Sequence, residues 1–585
     1  MWKFSIFLLC FFTVLVNGQD NLKKVNTKSG PVEGRLEKTI FFQKSFYSYK
    51  GIPYAQPPVG ELRFKAPKSV KKWNKTLEAY EYGSMCPQTG RLKSSVCEDC
   101  LFLNVFQPIV KGNKKLPVAV MIPGGFFIGG HGGDDYYGPD FFMENEIVLV
   151  TMNIRLGALG FMSLGLPEYS GNMAMKDQQL ALEWIYNNIA AFGGDKEKIT
   201  MGGVSSASII GSLNLINKKS SKYFKQFLGM SGSPIYGDAY QTGDHSCLMK
   251  HFYKQQKGTT VDPTDEQLIK FLQEVEVSKI VKFSYDTISN GQTTPWSPIV
   301  EYPNAKNPFL QQDPMTQLQQ TTITKPSYYT VTKYEHSFFV KHSNYSEPAE
   351  VNAFLDQFYF RLPIFGYRTI NSKKPAYLQS VFDEVRDFYF ANATDETDRL
   401  RQRIILDSDL YATHPIEKWL EKHVARSQSH TFYHRFSYDT ILNRYVIAGA
   451  SHADEQCFLF RCKGKTELQK RVFANKDSDE QCSAAFKAMM NIQKLISNFI
   501  KFGSPVHDGQ PTKAFAPVKR SNKPYQFNFI DLTNEGFIAG KGPNAKRMVF
   551  LDKFYKKVED LVKRNGDTPN KSPIQQQCDD LSAST

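Results

Sequence analysis

Between Leu116 and Leu213 the chain alternates short continuous apolar runs with segments of helical spacing. Val118 to Ile122 is apolar and β-prone and leads straight into a turn containing Gly124, Gly125, Gly129 and Gly130. Ile147 to Met152 predicts a second buried strand. Asp177 to Ala190 carries Leu180, Leu182, Ile185 and Ile189 at helical spacing and stops at the Phe192-Gly193-Gly194 turn. Ile199 to Met201 predicts a third strand, and Ser208 to Leu213 opens a helix of small apolar residues. Strand, turn and helix in this alternation predict an α/β architecture with a mostly parallel central sheet, flanking helices and large loop insertions.

Beyond this region the pattern is sparser. A helix is expected over Gln267–Val281, an aromatic face over Phe354–Leu362, and a helix over Lys487–Phe502, where Met490, Ile492, Leu495 and Phe499 recur at helical spacing. No long Gly/Ser- or Pro-rich stretch separates parts of the chain, and no fixed-period repeat is evident. One body over residues 19–561 is therefore expected, followed by a polar tail over 562–585 that Cys578 is placed to pin.

The first 18 residues read as a secretory signal, with Lys3 ahead of an apolar run from Phe4 to Val16 and a cleavage position after Gly18. An uncleaved anchor is the alternative, but the run is short for a bilayer span and no second long apolar stretch follows. Removal of the segment takes Cys10 and leaves an even set: Cys86, Cys97, Cys100, Cys247, Cys457, Cys462, Cys482 and Cys578. An oxidising compartment would allow these to pair, without saying how. Sequons at Asn74, Asn344 and Asn392 agree with export; the one at Asn570 is weakened by Pro573.

The formal charge of +14 raises the question of anionic partners. Lys23-Lys24, Lys71-Lys72, Lys114-Lys115 and Lys218-Lys219 are scattered along the chain, with no zinc finger or aromatic RNA-binding motif beside them. Ordinary solvated surface accounts for them, and no nucleic-acid partner or membrane anchor is expected. His131, His245 and His251 form no zinc spacing, so neither a metal nor another cofactor is expected.

The most informative element is Gly203-Val204-Ser205-Ser206-Ala207, which places a serine where strand gives way to helix. Such a turn exposes a hydroxyl while the helix start aims backbone N–H groups at developing negative charge. Around it lie Gly51-Ile52-Pro53-Tyr54-Ala55 with Pro57 to Phe64, Glu98-Asp99-Cys100-Leu101-Phe102-Leu103-Asn104-Val105, Asn153 to Phe161, Gly171-Asn172 with Asp177-Gln178, and Asn187 to Asp195. In this ordered series, from about Gly30 to Leu561, the chain resembles the type-B carboxylesterase and cholinesterase-like branch of the α/β-hydrolases, particularly secreted arthropod esterases.

That resemblance implies a nucleophile at Ser205, an acid at Glu335 within Thr332-Lys333-Tyr334-Glu335-His336, and a histidine at His452 within Gly449-Ala450-Ser451-His452-Ala453-Asp454-Glu455. It implies oxyanion donors at the backbone of Gly125, Phe126 and Ser206, and a supporting serine at Ser231. It also implies a Cys86–Cys100 disulfide, with Cys97 close enough to leave that pairing ambiguous, and paired charges Arg63 with Glu98 and Arg155 with Asp177. Cys457 is left with either Cys462 or Cys482, and Cys247 has no nearby partner. The loop between Cys86 and Cys100 lacks the tryptophan platform of choline-ester specialists, which favours a small apolar ester as substrate.

Several positions depart from the family pattern. Pro123 and Phe126 replace a histidine and a glycine in the glycine-rich loop, and Val204 and Ala207 flank the serine unusually. Phe126 carries a Cβ where a glycine-like dihedral is needed. Two functions therefore stand side by side: a secreted carboxylic-ester hydrolase working through a Ser-Glu-His triad and an acyl-enzyme, and a catalytically weak or inactive esterase-like binding or adhesion protein. Neither reading addresses oligomeric state.

Overall fold

The computed structural model describes residues 21–90, 95–235, 239–289, 294–337, 355, 375–443, 447–509, 514–566, 574 and 578. The expected signal segment, Asn344, and all of Phe354–Leu362 but Leu355 lie outside the described residues.

Among the described residues thirteen strands form one sheet: β1 (Leu22–Asn26), β2 (Pro31–Lys38), β3 (Ser45–Pro53), β4 (Leu77–Glu78), β5 (Phe102–Pro108), β6 (Leu116–Met121), β7 (Val148–Met152), β8 (Gly194–Val204), β9 (Gln226–Met230), β10 (Ser327–Thr332), β11 (Thr431–Phe436), β12 (Asn528–Thr533) and β13 (Gly536–Lys541). Their spatial order is β1-β2-β3-β5-β7-β6-β8-β9-β10-β11-β12-β13, with β4 beside β2. From β7 to β12 every pairing is parallel, while the pairings β1-β2, β2-β3, β3-β5, β5-β7 and β12-β13 are antiparallel. This is the α/β-hydrolase arrangement, a mostly parallel sheet with helices on its faces.

The continuous apolar strands are explained by burial on both faces. Val118 and Val120 of β6 point into one core with Val148 and Val150 of β7, whereas Ala119 and Met121 point into the other with Leu149. The first core is closed by the helices Met173–Asn188, Ser206–Ile216 and Ala545–Arg564, through side chains such as Ile185, Leu213 and Leu551. The second is closed by Glu480–Phe502, through Ile492, Leu495 and Phe499.

The structure moves several expected boundaries. The helix expected from Asp177 begins at Met173, where Asn172 takes a left-handed conformation at φ 60°. The strand around Ile199 starts at Gly194, so the expected glycine turn ends one residue earlier, at Gly193. The single helix expected over Gln267–Val281 is two, Asp265–Glu274 and Val277–Ser289, because Val275 is extended at ψ 144°. The helix at Lys487 begins at Glu480, capped by the Asp479 carboxylate accepting from Cys482 N. The last helix runs through the expected start of the tail at 562 to Arg564, with Val562 fully buried.

Three neighbouring parallel strands end on the same edge of the sheet. Val204, Met230 and Thr332 close β8, β9 and β10, and Ser205, Ser231 and Glu335 follow them directly or within three residues. Open α/β sheets place their sites at that carboxyl edge.

Candidate active site

Helix Ser206–Ile216 begins directly where β8 ends, leaving Ser205 alone to make the turn. Its backbone stands at φ 64°, ψ −128°, a sparsely populated conformation for a residue with a Cβ, costing on the order of 1–3 kcal/mol. Neighbouring backbone holds it there. Ser205 N donates to Met230 O at 2.8 Å, and Gly232 approaches so closely that a Cβ on it would lie 2.2 Å from Ser205 O. Ala207 is fully buried and is accommodated opposite Gly203, which has no side chain.

His452 joins this serine to an acid. Its Nε2 lies 2.8 Å from Ser205 Oγ, and its Nδ1 lies 2.7 Å from Glu335 Oε2. With Nδ1–H donated to the carboxylate, the imidazole presents an acceptor at Nε2 to the serine hydroxyl. The other Glu335 oxygen accepts from Ser231 Oγ at 2.8 Å and Thr332 N at 2.7 Å, which fixes the carboxylate plane. Glu335 is fully buried, whereas the His452 side chain is 20% exposed, so only the histidine and serine end of the array reaches solvent.

A second acid, Glu455, sits in the same pocket. It is fully buried, accepts from Thr330 Oγ1, and has its other oxygen without a hydrogen-bond partner among the described residues. Burial, reinforced by the Glu335 charge, pushes its carboxyl up to about 8. Near neutral pH it is therefore held uncharged beside Glu335.

Facing Ser205 is the glycine-rich loop after β6. Phe126 adopts φ 56° and Phe127 φ 64°, so Phe126 takes up the glycine-like dihedral that its side chain disfavours. Phe127 anchors the loop, its buried ring standing edge-on to Phe161 at 5.5 Å. Gln88 clamps the far end, accepting from Gly130 N at 3.0 Å and donating to Gly130 O at 3.1 Å. Gly125 N donates to Ser206 Oγ at 3.1 Å. Among the described residues, neither the Phe126 nor the Ser206 backbone N–H has an acceptor.

The sequence model of the carboxylesterase family matches residues 21–550. The chain belongs to the carboxylesterase family. It is 28% identical to Esterase B1 of Culex pipiens over 91% of this chain and 98% of that one. It is 34% identical to juvenile hormone esterase of Tribolium castaneum over 52% and 53%. The crystal structure of juvenile hormone esterase from Manduca sexta with OTFP covalently attached superposes with a TM-score of 0.75 at 23% identity, over 92% of this chain and all of that one, a likeness of fold. The protein is accordingly a serine carboxylic-ester hydrolase.

In this carboxylesterase Cys86 and Cys100 are joined, with Cα atoms 4.9 Å apart, and Cys97 stays a free, exposed thiol. Cys457 pairs with Cys462, leaving Cys482 free and buried. Cys247, for which the sequence offers no nearby partner, is joined to Cys578, 331 residues away. The Arg63–Glu98 and Arg155–Asp177 pairs are both present, each through two hydrogen bonds of 2.6–2.9 Å between the side chains. A third buried pair, Lys176–Glu301 at 2.6 Å, carried no sequence signal. Asn74 and Asn392 are exposed. Among the described residues no helix is long and apolar enough to cross a membrane.

Sequence reasoning missed Gln88, Glu455 and the side chain of Ser206. Glu455 stands three residues after His452 in the quoted histidine motif, and Gln88 two after Cys86, so proximity to those motifs was the available signal.

Proposed function

We propose that Ser205, His452 and Glu335 form the catalytic triad and hydrolyse small apolar carboxylic esters through an acyl-enzyme. The observation that carries this reading is His452 bridging Ser205 Oγ and Glu335 Oε2 at 2.8 and 2.7 Å. Ser205 Oγ attacks the ester carbonyl carbon while its proton passes to His452 Nε2. Glu335 orients the imidazole and stabilises the imidazolium, and Ser231 holds Glu335. The tetrahedral oxyanion is received by the backbone N–H groups of Phe126 and Ser206. Collapse breaks the C–O bond to the alcohol, which leaves with the His452 proton. Water repeats the attack, its proton going to His452, and the released acid regenerates Ser205.

An apolar substrate is supported by the sequence between Cys86 and Cys100, which carries no tryptophan to receive a cationic group. Action outside the cell is supported by three disulfides and by the exposure of the Asn74 and Asn392 sequons. Turnover of p-nitrophenyl acetate by the purified protein tests the reading. Ser205→Ala is expected to abolish it; equal turnover by that variant would refute the assignment.

A further inference from the structure

Gly125, a backbone donor facing the nucleophile, already donates its N–H to a hydroxyl of the chain itself, Ser206 Oγ, at 3.1 Å. That hydroxyl accepts one hydrogen bond and has a hydrogen of its own. Among the described residues no acceptor takes it, although Ser206 is only 4% exposed. A buried donor without an acceptor is unfavourable, and where one persists a ligand group or water commonly completes it. Ser206 follows Ser205 directly, and its hydroxyl is bonded to the residue just before Phe126, so it belongs to the same short stretches of chain as the N–H groups of Phe126 and Ser206, which are also without described acceptors.

We infer that the Ser206 side chain is a further catalytic group: its O–H donates to the oxyanion while its oxygen keeps the hydrogen bond from Gly125 N–H. This inference rests on the triad reading above and adds a donor to it. Gly125 then acts through Ser206, and the three groups touching the oxyanion are Phe126 N–H, Ser206 N–H and Ser206 O–H. Accepting from Gly125 polarises the hydroxyl and strengthens its donation, as in any hydrogen-bonded chain. The donor is in place before reaction, so no reorganisation accompanies charge development.

A dialkyl aryl phosphate tests this, because its phosphoryl oxygen occupies the oxyanion position. Ser205 Oγ forms the bond to phosphorus, the aryloxide leaves, and the Ser205 proton passes to His452. Ser206→Ala deletes the O–H and frees Gly125 N–H to donate for itself. The second-order labelling rate is therefore expected to fall about ten-fold, less than the roughly hundred- to thousand-fold of losing a donor outright. Ser206→Cys, a weaker donor of similar volume, is expected to fall between, with circular dichroism confirming that both variants fold. Labelling of Ser206→Ala as fast as, or faster than, the wild type overturns the inference and leaves the triad standing. Failure of the wild type to label at Ser205 overturns the triad reading, and this inference with it.

Discussion

Gly203 and Ala207 face each other across the turn that carries Ser205, so closely that a Cβ on Gly203 would stand 2.4 Å from the Ala207 methyl. The turn accommodates an alanine at 207 because position 203 has no side chain. Gly203→Ala should therefore force the strand end and helix start apart, destabilising the protein by about 1–3 kcal/mol and lowering kcat by displacing Ser205. Thermal melting and ester turnover of this one variant check both effects. An unchanged melting temperature would mean that the turn is looser than its geometry.

Phe126 contributes its backbone at φ 56°. Phe126→Gly keeps the N–H and relieves a left-handed conformation that costs a bulky residue roughly 1–2 kcal/mol, so kcat should be retained. Phe126→Pro removes the N–H and cannot reach positive φ, so kcat should fall by about a hundred-fold or more. Steady-state kinetics on the two variants separate a backbone role from a role of the ring.

Gln88 makes both its Gly130 hydrogen bonds from within the loop closed by Cys86 and Cys100, and donates to Cys86 O as well. Gln88→Ala should release the far end of the glycine-rich loop and lower kcat about ten-fold, with KM and melting temperature little changed. A change in KM alone would assign Gln88 to substrate binding instead.

Glu455 titrates near 8 in the fold against about 4.5 when exposed. Between those values the unfolded chain releases a proton that the folded chain keeps, so native stability falls as pH rises, by about 1.4 kcal/mol per pH unit. Below 4.5 both states are protonated and the penalty is absent. Glu455→Gln cannot ionise, and its stability advantage over the wild type should grow from pH 5 to pH 8. Urea denaturation across that range reads the difference, and a gap independent of pH would contradict it.

The part of this fold that could be read from the chain is the part buried on both faces. The runs Val118–Ile122 and Ile147–Met152 announce their strands because every residue in β6 and β7 is buried. The first half of β8 carries no strand signal because Asp195 to Lys198 is polar and partly or fully exposed; β6 pairs with the strand at Gly194 and again from Ile199, and these four residues lie between the two paired points. Met173 to Lys176 are all buried, so that helix start shows no amphipathic stripe. Within the site, the positions of Ser205, Glu335 and His452 came from the family resemblance; their mutual distances required the folded chain. Gln88–Gly130, Glu455–Thr330 and Cys247–Cys578 join residues 42, 125 and 331 positions apart, and no local spacing encodes such meetings.

The central claim is that Ser205 is the nucleophile activated by His452. Mass spectrometry of the full-length protein after exposure to a dialkyl aryl phosphate tests it most directly. The account predicts one dialkylphosphoryl adduct, on the peptide containing Ser205, in the wild type, and none in Ser205→Ala or His452→Ala. An adduct on any other residue, or an equally labelled Ser205→Ala protein, would contradict it.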